Sequence, residues 1–255
     1  MKVNKINESV DFLSSLAQRL DREGFVCIDE IISEEYLDEL REEIKEISSN
    51  KGKYFSQTDL FYDENSKFFF LNNDSNIKSF ISKFASVYFK TQLPQKMYSK
   101  TLSEKKITNV LRVVSGNKTS YGFHYDKTLI TILIPIIIPK EEVSRSGHLI
   151  TFPNFRSVNK YVIFNILQKL FLQNPLSQKL ISKIHFREKN IHIMREGNIY
   201  IFNGYRTIHG NFPVDRKFNR ATFLLHYGNP HLNSSLIRAI SNLSNLIGRL
   251  KSEKF

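Results

Sequence analysis

Three short stretches carry the side chains best suited to chemistry. In Phe123-His124-Tyr125-Asp126 an imidazole and a carboxylate stand two residues apart. On an extended chain they point to the same side and can share one ion. His-x-Asp alone recurs by chance, and the plain alternative is a turn with a surface histidine and a solvated aspartate. His209, in Thr207-Ile208-His209-Gly210-Asn211, follows the strand-like run Gly197 to Phe202, where a lone histidine is readily structural. Arg220 lies eleven residues after His209 and opens another β-rich run with Ala221-Thr222. A turn between His209 and Arg220 would set two neighbouring strands side by side, with the guanidinium on the face of the imidazole and somewhat deeper. Two histidines and one carboxylate on one face of an octahedron leave three positions open, the pattern of non-haem Fe(II) sites that use oxygen. A bidentate 2-oxo acid and O₂ would fill those positions, and a guanidinium suits the far carboxylate of such an acid. The combination is far more specific than any of its parts.

Elements that could position these residues follow from periodicity. Residues 8–22 read as a helix, with Val10, Leu13, Leu16, Ala17 and Leu20 on one stripe and Gly24 as its stop. Phe25 to Ile28 reads as a short strand. A second helix begins at Ser33, with Glu34 and Glu35 in its first turn and Leu37, Leu40, Ile44 and Ile47 as its buried stripe. Residues 50–76 read as loop with short strands, and 77–91 as helix. From Ile107 the period changes: Val110–Val114, Leu129–Ile138, His148–Phe152, His192–Met194, Asn198–Phe202 and Ala221–Tyr227 are β-rich and separated by turns. Strands at this density without alternating helices predict an antiparallel sandwich or barrel. A helical insertion at about 157–184 interrupts them, and Leu236, Ile240, Leu243, Ile247 and Leu250 predict an amphipathic C-terminal helix.

In these residues the sequence resembles the Fe(II)/2-oxoglutarate oxygenase superfamily, and within it the phytanoyl-CoA dioxygenase-like family. The opening Leu20-Asp21-Arg22-Glu23-Gly24-Phe25-Val26-Cys27-Ile28, then Ile32-Ser33-Glu34-Glu35-Tyr36 and Leu40-Arg41, is similar to the family's N-terminal block. The family's metal motif falls on His124, Asp126 and His209, its glycine–leucine–proline strand on Gly147 to Pro153, and its 2-oxoglutarate arginine on Arg220. Two departures stand out. Asn154-Phe155-Arg156 replaces the usual Gly-Ser-His after Pro153, and Asn211 stands where His-Gly-Ser is common.

The resemblance implies a mainly β fold with flanking helices, a double-stranded β-helix of the jelly-roll or cupin type. It implies one oxygenase domain over 1–255, with N-terminal helical support at 1–106, the β-helix core at 107–230 and a C-terminal helix at 231–255. It also implies Fe(II), 2-oxoglutarate and O₂ as reactants, and hydroxylation of an unactivated C–H with release of succinate and CO₂. Asp126 argues against halogenation, which needs that position vacated for chloride. Thr131 resembles a strand threonine that assists 2-oxoglutarate, and is equally readable as a β-former. Thr222 offers a second hydroxyl near the carboxylate, and Asn211 either approaches the cosubstrate or caps a turn. Arg112, on the strand before the metal motif, faces either the site or, as is commoner for an arginine, solvent, and His148, His185, His192, His226 and His231 read as surface or core histidines at no metal spacing.

Composition bounds the rest. The 255 residues are 41% hydrophobic and 13% aromatic, enough for a packed core. Cys27, the sole cysteine, excludes an internal disulfide or a cysteine-based metal site, and reads as a small buried hydrophobe in a reducing cytoplasm. The net charge is +12, and Arg156 to Asn190 holds seven basic residues against one acid. That charge suits an acidic or carrier-linked substrate, a membrane surface or nucleic acid. Nucleic acid is not the expected partner, because no aromatic-interleaved basic motif is present. A non-catalytic β-helix module is the other competing reading. The insertion and the C-terminal helix are the candidate surfaces for a homo-oligomer or a peripheral membrane contact, and the insertion is placed over the mouth of the site.

Overall fold

The computed structural model describes residues 2–51, 55–58, 64–102, 107–115, 122–158, 167–168, 171–172, 174–182 and 186–231. Helices α1 (Val10–Glu23), α2 (Glu34–Lys51), α3 (Lys67–Asn73), α4 (Ser75–Gln92) and α5 (Gln95–Leu102) occupy the N-terminal part, and α6 (Pro175–Ser182) lies in the insertion. The strands are β1 (Phe25–Ile28), β2 (Phe55–Thr58), β3 (Thr108–Ser115), β4 (Ile130–Ile137) and β5 (Leu149–Phe152). They continue with β6 (Ile191–His192), β7 (Ile199–Phe202), β8 (Ile208–Asn211) and β9 (Asn219–Tyr227).

Six strands form one antiparallel sheet in the order β1-β7-β4-β9-β3-β2, and three form a second in the order β6-β5-β8. An isolated bridge between His124 and His209 extends the small sheet beyond β8. From β3 onward the chain alternates between sheets, visiting the large one at β3, β4, β7 and β9. It visits the small one at His124, β5 with β6, and β8. This winding is the double-stranded β-helix that the resemblance implies.

Side-chain alternation sorts the layers. On β3, Leu111 and Val113 face the helices and join Leu13, Leu20, Phe80, Phe84 and Phe89 in the main core. Val110, on the other face, packs with Leu133, Leu149, Tyr200, Phe202 and Leu224 between the sheets. Phe123, Ile150, Ile208 and Phe212 cover the outside of the small sheet together with Leu172 from the insertion.

Helix α1 forms where its periodicity predicts: Ser9 caps its N-terminus, and Gly24 ends it in the left-handed region. Two elements differ from the sequence reading. The 50–76 stretch contains helix α3, capped by Ser66 and burying Phe68 and Leu71. Asn72-Asn73-Asp74, a turn-like run in the sequence, is the junction where Asp74 caps α4 through the amides of Asn76 and Ile77. Strand β8 is short, with Gly210 inside it, and shows no strand composition. It belongs to the small sheet while β9 belongs to the large one, so His209 and Arg220 are not on adjacent strands. The intervening residues cross between sheets, and the two side chains approach the same space from opposite walls.

In the insertion Leu167 and Phe171 are 56% and 71% exposed, whereas Leu172 is buried. Residues 160–164, 169–170 and 183, and all but the first residue of the C-terminal helix expected at 231–255, lie outside the described residues. Among the described residues no helix is long and apolar enough to cross a membrane.

Candidate metal centre

His124 and His209 face each other across a two-way backbone pair. The amide of His124 donates to the His209 carbonyl at 2.9 Å, and the amide of His209 returns the bond at 3.0 Å. Such a pair fixes both residues on the same face, and their rings lie 4.3 Å apart between centroids. Two residues on, the Asp126 amide donates to the Gly204 carbonyl at 2.8 Å, which turns its carboxylate back toward the imidazoles. His124 Nε2 is 3.7 Å from Asp126 Oδ1, and His209 Nε2 is 3.5 Å from Asp126 Oδ2.

These side chains fit a divalent metal. Their ligand atoms all lie within 4.8 Å of one another. Donors about 2.1 Å from one ion and at right angles are about 3 Å apart, so only a small contraction is needed. Each imidazole is already oriented by its other nitrogen: His124 Nδ1 lies 2.6 Å from the Gly122 carbonyl, and His209 Nδ1 lies 3.1 Å from that of Thr207. An Nδ1–H donating to a carbonyl leaves the Nε2 lone pair bare for a metal. Burial pulls the His209 proton affinity down to about 4 against the opposing Asp126 charge, so the ring is neutral near pH 7. Burial works against the charge of Asp126 as well. His209, His226, His124 and the Thr131 hydrogen bond outweigh it and hold this carboxyl below the usual carboxylate range. A ready carboxylate and a neutral imidazole release no proton on binding a metal.

The support around Asp126 is specific. Thr131 Oγ1 donates to Asp126 Oδ2 at 2.5 Å. Gly204 leaves room for both groups, since a Cβ there would lie 2.4 Å from Asp126 Oδ2 and from Thr131 Oγ1. Thr131, expected beside a cosubstrate, therefore spends its hydroxyl on the carboxylate. Tyr125, between His124 and Asp126, stacks under Arg156, whose guanidinium lies 3.9 Å from its ring and 4.1 Å from that of Tyr205. Arg156 also donates to the Tyr205 carbonyl at 2.5 Å. The rebuilt loop after Pro153 thus clamps the middle of the His-x-Asp segment.

A small open cleft lies beside the three ligands. Arg220, Thr222, Leu224 and His226, alternate residues of β9, form one wall. Arg220 is buried and donates from Nη1 to the Gly147 carbonyl at 2.8 Å. Gly147 has φ +70°, and a Cβ there would meet Arg220 Cδ at 2.6 Å, so only glycine lets the arginine lie flat in that place. The Thr222 hydroxyl is buried without a hydrogen-bond partner among the described residues. Asn211 also lines the cavity and donates to the Gly147 carbonyl at 3.2 Å.

Two residues read as peripheral prove to be in the site. His226 lines the cavity, with Nδ1 3.2 Å from Thr131 Oγ1 and 3.8 Å from Asp126 Oδ2. Burial lowers its proton affinity. Strand register brings it there, since Thr131 on β4 pairs with His226 on β9. Arg112 is partly buried and also lines the cavity. Cys27 is half-buried and bonded to Asp29, with burial raising its thiol to about 11. His148, His192 and His231 lie away from the ligands as expected, and His185 is outside the described residues.

No family model and no curated protein matches the sequence. Solved structures do match the fold. The non-haem α-ketoglutarate-dependent carbocyclase SnoK of nogalamycin biosynthesis has a TM-score of 0.57 and 14% identity over 92% of this chain and 93% of its own. A prolyl hydroxylase from Trichoplax adhaerens, in complex with a hypoxia-inducible factor peptide, gives 0.57 and 12% over 91% and 98%. HygX from Streptomyces hygroscopicus, with nickel and 2-oxoglutarate bound, gives 0.54 and 11% over 83% and 84%. At these identities the likeness is one of fold.

Proposed function

We propose that the chain is an Fe(II)- and 2-oxoglutarate-dependent dioxygenase that hydroxylates a C–H bond of a small or carrier-linked metabolite. One observation carries this reading: two imidazoles with bare Nε2 atoms and one carboxylate converge at the head of a cavity whose wall contains a buried arginine. His124, Asp126 and His209 would hold the iron and leave three positions open. Arg220 would receive the far carboxylate of 2-oxoglutarate, with Thr222 and Asn211 completing its cradle. Thr131 holds Asp126 in place. With 2-oxoglutarate and O₂, bound ferrous iron supplies the oxidant that converts C–H to C–OH, releasing succinate and CO₂. The residues of this chain orient the reactants and exclude water: Leu133, Phe202 and Leu224 give the cavity apolar walls.

Within the superfamily we favour the phytanoyl-CoA dioxygenase-like group, on the N-terminal block and on the spacing from His209 to Arg220. The N-terminal helices and the large sheet share one continuous core cluster, which supports a single functional unit. We assign it to a reducing compartment such as the cytoplasm, where the thiol of Cys27 would persist. The test is succinate release from 2-oxoglutarate across a metabolite panel with Fe(II) and O₂. We expect iron-dependent release that a substrate stimulates and that Asp126→Ala abolishes. Release unaffected by Asp126→Ala would contradict the assignment.

A further inference from the structure

We propose that Arg112 anchors a carboxylate carried by the substrate itself, so that the substrates of this site are organic acids. The proposal rests on the iron and 2-oxoglutarate reading above. Strand β3 turns Leu111 and Val113 to the core under the helices, and Val110 and Arg112 to the space between the sheets. The Arg112 side chain makes no hydrogen bond or ion pair with any described residue. It shares its cavity with apolar Leu133, Phe202 and Leu224. A partly buried guanidinium that no described group bonds is available to a carboxylate brought in by a ligand.

Charge counting says which kind of ligand. Among the described residues lining the cavity the guanidiniums are Arg112 and Arg220, and the one carboxylate is Asp126. Two cations against one anion leave one positive charge. A ferrous ion and the 2-oxoglutarate dianion cancel each other, so that surplus persists when both are bound. One carboxylate on the substrate neutralises it, and the planar fork of arginine matches a carboxylate.

Position separates this arginine from Arg220. Arg112 pairs with Thr222 on β9, while Arg220 pairs with Val114, one step further from His226. Arg220 is turned onto Gly147 at the start of β9, and Arg112 stands nearer the His226 and Asp126 end. The two guanidiniums therefore flank Thr222 and can serve two carboxylates, one on the cosubstrate and one on the substrate.

The test uses the full chain, loaded without oxygen with Fe(II) and saturating 2-oxoglutarate. It is titrated calorimetrically with straight-chain carboxylic acids, each paired with its primary amide. Wild type should bind at least one acid about tenfold or more tighter than its amide, as a charge-assisted pair requires. Arg112→Gln should erase that preference, and Arg112→Lys should keep part of it. Metal-dependent 2-oxoglutarate binding should survive in both variants, which also shows that their cavities are folded. An acid preference that persists in Arg112→Gln overturns the proposal, as does wild type without any preference. Loss of 2-oxoglutarate affinity in Arg112→Gln overturns it too, by giving Arg112 to the cosubstrate. If wild type fails to bind 2-oxoglutarate through a metal, the functional reading itself falls and takes this proposal with it. Intact 2-oxoglutarate binding without acid preference removes the proposal alone.

Discussion

At the scale of single residues, the candidate metal centre depends on groups outside the three proposed ligands. Thr131 and Gly204 both act on Asp126, one by donating to Oδ2 and the other by leaving room for it. Thr131→Val should weaken metal binding about 10- to 100-fold, the usual cost of losing a partner of a metal ligand. Gly204→Ala should do at least as much, because backbone and carboxylate cannot both keep their places. Calorimetric titration with Co(II) or Mn(II) measures both, and wild-type affinity in either variant would detach that residue from the site. His124, Asp126, His209 and Arg220 were legible in the sequence because their types and spacing are rare together. Gly204, His226 and Arg112 were not, because cross-strand register brings them to the cavity and no local pattern encodes it. Thr131 was legible as a site residue, but the direction of its hydroxyl was not.

At the scale of elements, short connections hold the site more than the strands do. The loop after β5 sends Arg156 between the rings of Tyr125 and Tyr205. Arg156→Ala would remove that stacking and a buried hydrogen bond, destabilising the fold by about 2–4 kcal/mol. It should also loosen the His-x-Asp segment, so metal affinity should fall as well; thermal melts and metal titration read the two effects separately. Metal affinity untouched in a folded Arg156→Ala protein would make the clamp purely structural.

Strand β6 offers a pH prediction. His192 stacks on Phe25 at 3.6 Å and bonds Thr151 at 2.7 Å, and burial lowers its proton affinity from 6.5 to about 4. The unfolded chain binds a proton there below about 6.5 while the native state resists until about 4, so stability falls as pH drops through that window. The slope from this one group is about 1.4 kcal/mol per pH unit. Urea unfolding from pH 7 to 4 should show it, and His192→Gln should flatten the dependence by that amount; an unchanged slope would refute it. The helices and long strands were legible from periodicity. Strand β8 and helix α3 were hidden by Gly210 and by asparagines that read as a turn but end one helix and precede another.

At the scale of the whole molecule, the layers explain the placement of function. Helices cover the large sheet, the insertion covers part of the small one, and the polar side chains collect in the space between the sheets. The winding of the chain between two sheets puts His209 and Arg220 on opposite walls although few residues separate them. Strand density made a β sandwich or barrel legible, and the motif resemblance named its winding. The crossing between β8 and β9 depends on how the sheets stack, which local sequence does not record. The most direct test of the iron and 2-oxoglutarate assignment is anaerobic calorimetry of 2-oxoglutarate binding with and without Fe(II), in wild type, His209→Ala and Arg220→Leu. We predict binding that requires the metal in wild type, is lost in His209→Ala, and is weakened about 30-fold or more in Arg220→Leu, where a buried charge partner worth 2–5 kcal/mol is removed. Metal-independent binding, or equal affinity in wild type and Arg220→Leu, would contradict it.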